Sequence, residues 1–359
     1  MSDGKRPTAA PVAPRSDRRF RILRLVPTLE GEAYLDAFSK AVREGLLGEP
    51  KMLPWSYFYD EEGSRLFDAI CDLPEYYLTR VEEQILRRHA ASMVDTLWSG
   101  SPDGRAPSLV ELGSGSAVKT ERLIAAAFQG LDRLHYVPIE ISNSALEASA
   151  RRLVQRYPSL RVTGYVADYR RGLERIAARF RGPRLILFLG SSLGNYGPEE
   201  AVELLQAIGR SMRSQDRLLL GTDLLKDPVI LEAAYDDSRG VTASFNRNLL
   251  RRMNRELGSD FDLASFEHRV RVRSDLGRVE MHLVSKREQE VSIPRAGLRI
   301  HLAEGESIHT ENSYKYTPGS LATLAAEAGF VEEAAWTDSR LWYRVQRWRL
   351  RTGAESQGL

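Results

Sequence analysis

Several apolar runs in this sequence end on residues able to hold a small ligand. SLVEL leads into Gly113-Ser114-Gly115. Two glycines one residue apart let a backbone turn sharply and lie close to a ligand, where a Cβ would clash. A dinucleotide fingerprint needs a third glycine three residues after the second. Val118 stands there instead, with Lys119 next. HYVPIEIS carries Glu140 near its end, an acid placed to accept both ribose hydroxyls of an adenosine. RVTGYVADY carries Asp168, placed to accept from an adenine amino group. A glycine turn, a ribose acceptor and a base acceptor describe an adenosine site without a pyrophosphate. S-adenosylmethionine fits that description.

The elements that must position these residues follow from the pattern around them. From about residue 107, apolar strands (SLVEL, HYVPIEIS, RVTGYVADY, RLILFLG, RLLLGTDLL) alternate with amphipathic helices (KTERLIAAAFQG, NSALEASARRLVQRYP, EEAVELLQAIGRSM). Such alternation predicts a parallel sheet covered on both faces, with ligands bound beyond the carboxyl ends of its strands. Upstream, RFRILRLVP reads as a short strand and EAYLDAFSKAVREGLLG as a helix closed by glycine. PWSYFYDEEGSRLFDAICDLPEYYLTR reads as an aromatic-rich loop, and because tyrosine hydroxyls need partners when buried, its tyrosines suggest a polar pocket wall. Downstream the alternation breaks. VILEAAYDDSRGVTASFNRNLLRRMNREL reads as one long helical stretch, followed by strand-like alternation with a turn at Asp275-Leu276-Gly277. The chain then returns to the sheet with the helix SLATLAAEAGF and two last strands. The expected organisation is a disordered tail over 1–18, the N-terminal part of a substrate-binding lobe over 19–78, and a cofactor-binding core over 79–225. An inserted α+β lobe over 226–312 and a return to the core over 313–359 complete it.

Composition narrows the partners. The 359 residues carry 51 Lys+Arg against 49 Asp+Glu, a formal charge of +2. Nucleic-acid affinity rests on clustered excess cations, so a small substrate is the better expectation. Apolar residues make up 42% of the chain, enough for a large core. Cys71 is the only cysteine, which excludes intramolecular disulfides and thiolate zinc sites and fits a reducing cytoplasm. The N-terminal stretch lacks the apolar region of a secretory signal, and no apolar run reaches the length of a membrane span. The histidines show no metal-ligand spacing, so no metal is expected.

ELGSGSAVKT, PIEIS, VADY and FLGSSLGN, in that order, resemble the S-adenosylmethionine-dependent methyltransferases with a seven-stranded Rossmann-like sheet. From about residue 25 the chain resembles a narrower family, the L-histidine Nα-methyltransferases of ergothioneine biosynthesis. The motifs that carry this are FYDEEGSRLFDAICDLPEYYLTR, ELGSGSAVKT, FLGSSLGN, AYDDSRGVTASFNRN and HTENSYKY. The resemblance implies three successive methyl transfers from S-adenosylmethionine to the α-amine of L-histidine, giving hercynine.

Amine methylation is an in-line displacement that needs a neutral nitrogen held in orientation rather than a covalent intermediate. The resemblance assigns Tyr59 and Asn195 to the reacting amine, with Tyr59 relaying its proton. Tyr76 lines the amino-acid pocket, Tyr235 donates to the carboxylate, Glu311 and Ser313 hold the imidazole, and Met281 packs against the ring. Gly113, Gly115, Lys119, Glu140, Asp168 and Gly190 are expected at the cofactor, with Lys119 near its carboxylate end. Asn312 and Tyr314 flank Glu311 and Ser313 where the family pattern expects smaller or more apolar residues. The expected protein is a cytoplasmic monomer, without nucleic-acid or membrane partners. The competing readings are an α-N-methyltransferase for tryptophan or an imidazole analogue, and a non-catalytic S-adenosylmethionine sensor. An RNA methyltransferase fits poorly, for want of a basic aromatic platform.

Overall fold

The computed structural model describes residues 19–25, 31–98 and 104–352, and the expected tail over 1–18 lies outside them. Its centre is a sheet built from β1 (Phe20–Arg24), β2 (Ser108–Leu112), β3 (Leu134–Glu140), β4 (Leu160–Val166), β5 (Arg184–Phe188) and β6 (Arg217–Asp223), closed by the late strands β12 (Phe330–Thr337) and β13 (Tyr343–Leu350). The eight strands run in the order β1-β4-β3-β2-β5-β6-β13-β12. β1 through β6 pair in parallel, whereas β13 runs antiparallel to both β6 and β12. Every residue of β2 and β5 is buried, which is why these strands are mostly apolar rather than alternating, with Glu111 and Arg184 as buried charged exceptions. Strand order reverses around β2, between β3 and β5, and that switch point is where a doubly wound sheet binds its ligand.

α4 (Thr120–Ala127), α5 (Asn143–Arg156), α6 (Tyr169–Arg179), α7 (Pro198–Ser211) and α10 (Pro318–Glu327) connect the strands, and α3 (Tyr77–Val94) precedes the first connection. Arg347 of β13 donates to the Ser92 carbonyl near the end of α3 at 2.9 Å, tying that helix to the sheet.

A second lobe has α1 (Glu32–Leu47), α2 (Glu61–Cys71), α8 (Pro228–Tyr235) and α9 (Val241–Leu257) around a sheet ordered β11-β8-β7 and a hairpin β9–β10. Its strands are β7 (Phe266–Arg273), β8 (Arg278–Ser285), β9 (Gln289–Ile293), β10 (Leu298–Leu302) and β11 (Ser307–Tyr314). Arg43 of α1 donates to the carbonyls of Ala296 and Gly297, both at 3.0 Å, between β9 and β10. Chain segments far apart in sequence thus build one lobe.

Three expectations change. Phe20–Arg24 pairs with β4, so the main sheet gains an eighth strand and the segment 19–78 is divided between sheet and lobe. The aromatic stretch is mostly helical: Asp60 caps α2 by accepting from the Gly63 N–H at 2.7 Å, and Glu61 and Glu62 favour the same helix end. The long helical stretch after residue 226 breaks in two. Asp237 accepts from the N–H groups of Val241 and Thr242 at 2.9 and 2.8 Å, and Gly240 takes φ +69° before α9 begins.

Candidate active site

The strand-end turns carry the residues expected at the cofactor. Gly113 and Gly115 have φ of +73° and +46°, so the turn after β2 depends on glycine. The Glu140 carboxylate accepts from the N–H of Gly115 at 2.9 Å, of Ile141 at 2.8 Å and of Ser142 at 3.2 Å, joining the glycine turn to the end of β3. A carboxylate has about four acceptor sites, so one remains for a ligand hydroxyl. Asp168 is exposed and accepts from the Arg171 N–H at 2.9 Å as the cap of α6. Lys119 is hydrogen-bonded to Glu82, a carboxylate fully buried on α3. Glu82 also accepts from the Gly190 N–H at 2.8 Å and the Tyr343 hydroxyl at 2.7 Å. Glu111, buried below the glycine turn, receives hydrogen bonds from Thr120 and Tyr136. A glycine turn with an acid beside it and a lysine steered by a second acid suit a ligand with an adenosine at one end and an amino-acid tail at the other.

A second hollow opens between α2, α8, α9 and the β11-β8-β7 sheet. Tyr59, Phe67, Ile70, Tyr76, Ala234, Tyr235, Thr242, Phe245, Met281 and Glu311 line about 290 Å³ of atom-free space, part of it continuous with solvent. Aromatic rings meet edge to face around it: Tyr59 lies 5.6 Å from Phe67 and 5.8 Å from Phe245, and Tyr76 lies 6.3 Å from Tyr235. The turn that presents Tyr59 is fixed by Arg252 of α9, which donates to the Tyr57 carbonyl at 2.8 Å, and by Asp60, which accepts from Asn248 at 2.8 Å. Tyr76 is set by Arg80, donating to the carbonyls of Leu73 and Pro74, both at 2.5 Å.

Glu311 pairs across the strands with Met281, so an acid and a thioether share one part of the wall. Burial raises the Glu311 carboxyl to about 7, against the opposing pull of Lys315, and its side chain has no hydrogen-bond partner among the described residues. Burial also holds the Tyr59 phenol well above its ordinary value, with Glu311 adding to the effect, so Tyr59 stays protonated. Beside them, the Tyr235 and Ser313 hydroxyls lie 2.7 Å apart, and Lys315 donates to each at 2.7 Å.

Comparison with known proteins decides what this pairing of sites belongs to. Residues 38–350 match the family described as histidine-specific methyltransferase, SAM-dependent. A histidine N-alpha-methyltransferase of Mycolicibacterium smegmatis is 39% identical over 316 residues, covering 88% of this chain and 96% of that protein. Its counterpart from Mycobacterium tuberculosis is 40% identical over 302 residues, covering 84% and 91%. The ergothioneine biosynthesis protein 1 of Neurospora crassa is 29% identical over 293 residues, which are 80% of this chain and 32% of that longer protein. The chain belongs to the histidine-specific methyltransferase family. The family and the eight-stranded sheet agree on an S-adenosylmethionine-dependent N-methyltransferase of Rossmann-like fold.

In this methyltransferase Tyr59, Tyr76, Tyr235, Met281 and Glu311 meet around one hollow, and Ser313 joins it through Tyr235. Asn195 does not line the hollow. It ends a tight turn, Ser192–Asn195, beyond β5. Gly194 in that turn lies so close to β11 that a Cβ would come within 2.7 Å of the Tyr314 carbonyl oxygen. Ser191 starts the turn at φ +58°, a strained value for a side-chain-bearing residue, and its hydroxyl accepts from the Asp223 N–H at 2.9 Å. Tyr314 lies on the other face of β11, where its hydroxyl accepts from Arg278 at 2.7 Å, and Asn312 pairs with Glu280. Both therefore leave the wall formed by Glu311 and Ser313 unchanged.

Sequence reasoning passed over Glu82, Asp223 and Lys315, although each left a signal. Glu82 falls at helical spacing with Leu78, Ile85 and Leu86, an acid on an apolar face. Asp223 ends an apolar strand on the ligand side, as Glu140 does. Lys315 continues the every-other-residue set Glu311, Ser313. Among the described residues no three His, Cys, Asp or Glu side chains gather as a metal site needs, and no helix is long and apolar enough to cross a membrane.

Proposed function

We propose that this methyltransferase places three methyl groups in succession on the α-amine of L-histidine, giving hercynine as the first step of ergothioneine biosynthesis. The observation that carries the reading is one aromatic hollow with an unpartnered carboxylate, Glu311, on its wall and a donor cluster, Tyr235 with Ser313 and Lys315, beside it. When bound, S-adenosylmethionine supplies an electrophilic methyl group on sulfur; Gly113, Gly115, Lys119, Glu140, Asp168 and Gly190 are the residues to hold it.

Each side chain then has a task set by its chemistry. Glu311 accepts an imidazole N–H, a charge-assisted bond that fixes the ring against Met281. Tyr235 donates to the substrate carboxylate; Asn195, outside the hollow on the turn after β5, is assigned to the amine by the family resemblance alone. Holding the substrate by both ends aims its nitrogen, and such orientation supplies most of what a displacement without a covalent intermediate requires. A proton leaves the amine before each transfer. Tyr59 keeps its own proton and so passes one along to water rather than storing it. Aromatic faces stabilise the growing quaternary ammonium, which gives the ring of Tyr59, Tyr76 and Phe245 a further use. The test is to incubate the purified protein with S-adenosylmethionine and each standard amino acid and weigh the products. Histidine gaining one, two and then three methyls is expected; turnover confined to another amino acid would refute the assignment.

A further inference from the structure

A buried cation, Lys315, lies beneath the Tyr235–Ser313 hydroxyl pair. Lys315 follows β11 with its side chain wholly buried. Its ammonium has three N–H groups, and they face three acceptors: Tyr235 Oη at 2.7 Å, Ser313 Oγ at 2.7 Å and Asp223 Oδ2 at 3.0 Å. Lys315 therefore reaches no ligand directly. Its backbone is pinned as well, because its N–H donates to the Gly277 carbonyl at 2.8 Å and that of Tyr316 donates to the Asp223 carbonyl at 3.0 Å.

Proton counting shows what this does to the hydroxyls. Each already accepts from the ammonium, and at 2.7 Å one of them must donate to the other. One O–H of the pair is left to point outward. Tyr235 lines the hollow and Ser313 does not, so Ser313 donates to Tyr235 and Tyr235 donates into the hollow. Charge adds a second argument. Asp223 takes Lys315 through one oxygen and Lys226, at 2.6 Å, through the other, while the Tyr77 hydroxyl donates to it at 2.7 Å. Two ammonium groups share the one buried carboxylate, with the half-buried Asp338 a further acid acting on Lys226, so Asp223 is fully engaged behind Tyr235, and burial with Lys315 nearby pushes Lys226 down to about 8. Glu311 is the other acid that feels Lys315, and it is committed to the imidazole in the reading above.

We propose that Lys315 is a positioning residue that makes Tyr235 a donor toward the substrate carboxylate and thereby selects a free amino acid over its amide or its decarboxylated amine. The proposal rests on the hollow being the histidine site.

The experiment measures kcat and KM of the wild type and of Lys315→Met with L-histidine, L-histidinamide and histamine, together with the KM for S-adenosylmethionine. The wild type should prefer histidine strongly. Lys315→Met should raise the histidine KM roughly ten- to a hundredfold, keep kcat within a few-fold, leave the S-adenosylmethionine KM in place and bring the preference over histidinamide close to one. Adding Tyr235→Phe to that variant should change little more. A folded Lys315→Met enzyme that keeps the wild-type preference overturns the proposal, as does equal loss toward all three substrates. Should that variant not fold, Lys315→Gln keeps a donor without the charge and must show a smaller fall in preference; an unchanged preference overturns the proposal equally. A wild type that leaves histidine unmethylated removes the underlying reading instead, a result visible before any variant is made.

Discussion

The strand-end turns and the hollow use acids in opposite ways. In the turns, Glu82, Glu111, Glu140 and Asp168 all find their partners inside the protein, among backbone N–H groups, hydroxyls and Lys119. In the hollow, Glu311 has no hydrogen-bond partner among the described residues; burial raises its carboxyl and that of Glu111 alike to about 7, so the bonds made, and not the burial, separate the two. A buried acid with its bonds made holds a shape. One without them gains from a ligand what the protein withholds. On the proposed assignment, the side that holds a constant group is thus preorganised, and the side that reads the variable group leaves a carboxylate unpartnered.

Glu82→Ala should give the largest effect on the fold. It strands Lys119, the Gly190 N–H and the Tyr343 hydroxyl, and losing one partner of such a buried cluster costs about 3–5 kcal/mol. Urea denaturation reads this directly, and an unchanged midpoint would erase the distinction between the regions. Glu311→Ala should do the reverse: kcat/KM for histidine falls by about 1.5–3 kcal/mol of transition-state stabilisation, while thermal stability holds or improves. A destabilised Glu311→Ala protein with full turnover would invert the comparison.

The same carboxyl makes the contrast depend on pH. Glu311 must be ionised to accept strongly from an imidazole N–H, so its contribution to kcat/KM rises as pH passes through about 7 and then levels. Glu311→Gln should flatten that limb. The stability of the ligand-free protein moves the other way. A carboxyl raised from its ordinary 4.5 to about 7 contributes stability fully present below 4.5 and lost as pH climbs through about 7. Wild type and Glu311→Gln should therefore diverge in melting temperature across that window, and parallel curves would rule out the raised carboxyl. The smallest effect belongs to Asp168→Asn, which keeps an α6 cap. Stability should stay within about 0.5 kcal/mol, while the KM for S-adenosylmethionine rises a few-fold if the carboxylate reaches the adenine amino group.

Legibility in the sequence followed the same divide. The alternation of mostly apolar strands with amphipathic helices, and the Gly113–Gly115 turn, are local signals, and the central sheet stands where they put it. β1 joins that sheet by pairing with β4, some 142 residues away as Arg21 and Thr163 show, and a lone strand carries no mark of its partner. The aromatic stretch seemed loop-like because tyrosines crowd it, yet the Asp60 cap and acidic first turn of α2 were there to be weighed. Glu311 and Tyr235 were found through long motifs. Lys315 escapes because its meaning depends on Asp223, which comes from the end of β6, far earlier in the chain. Tertiary pairing, rather than residue type, makes it functional.

The alternation of β11 has a practical consequence. Glu311 and Ser313, with Lys315 next in step, lie on one side of β11, Glu311 lining the hollow and the other two backing Tyr235, while Asn312 and Tyr314 point the opposite way. Acceptance of a new amine is therefore editable at alternate positions of a single strand, while the methyl donor is held by other elements, the adjoining strand-end turns. An engineer, or natural drift, can retune what is methylated without relearning how.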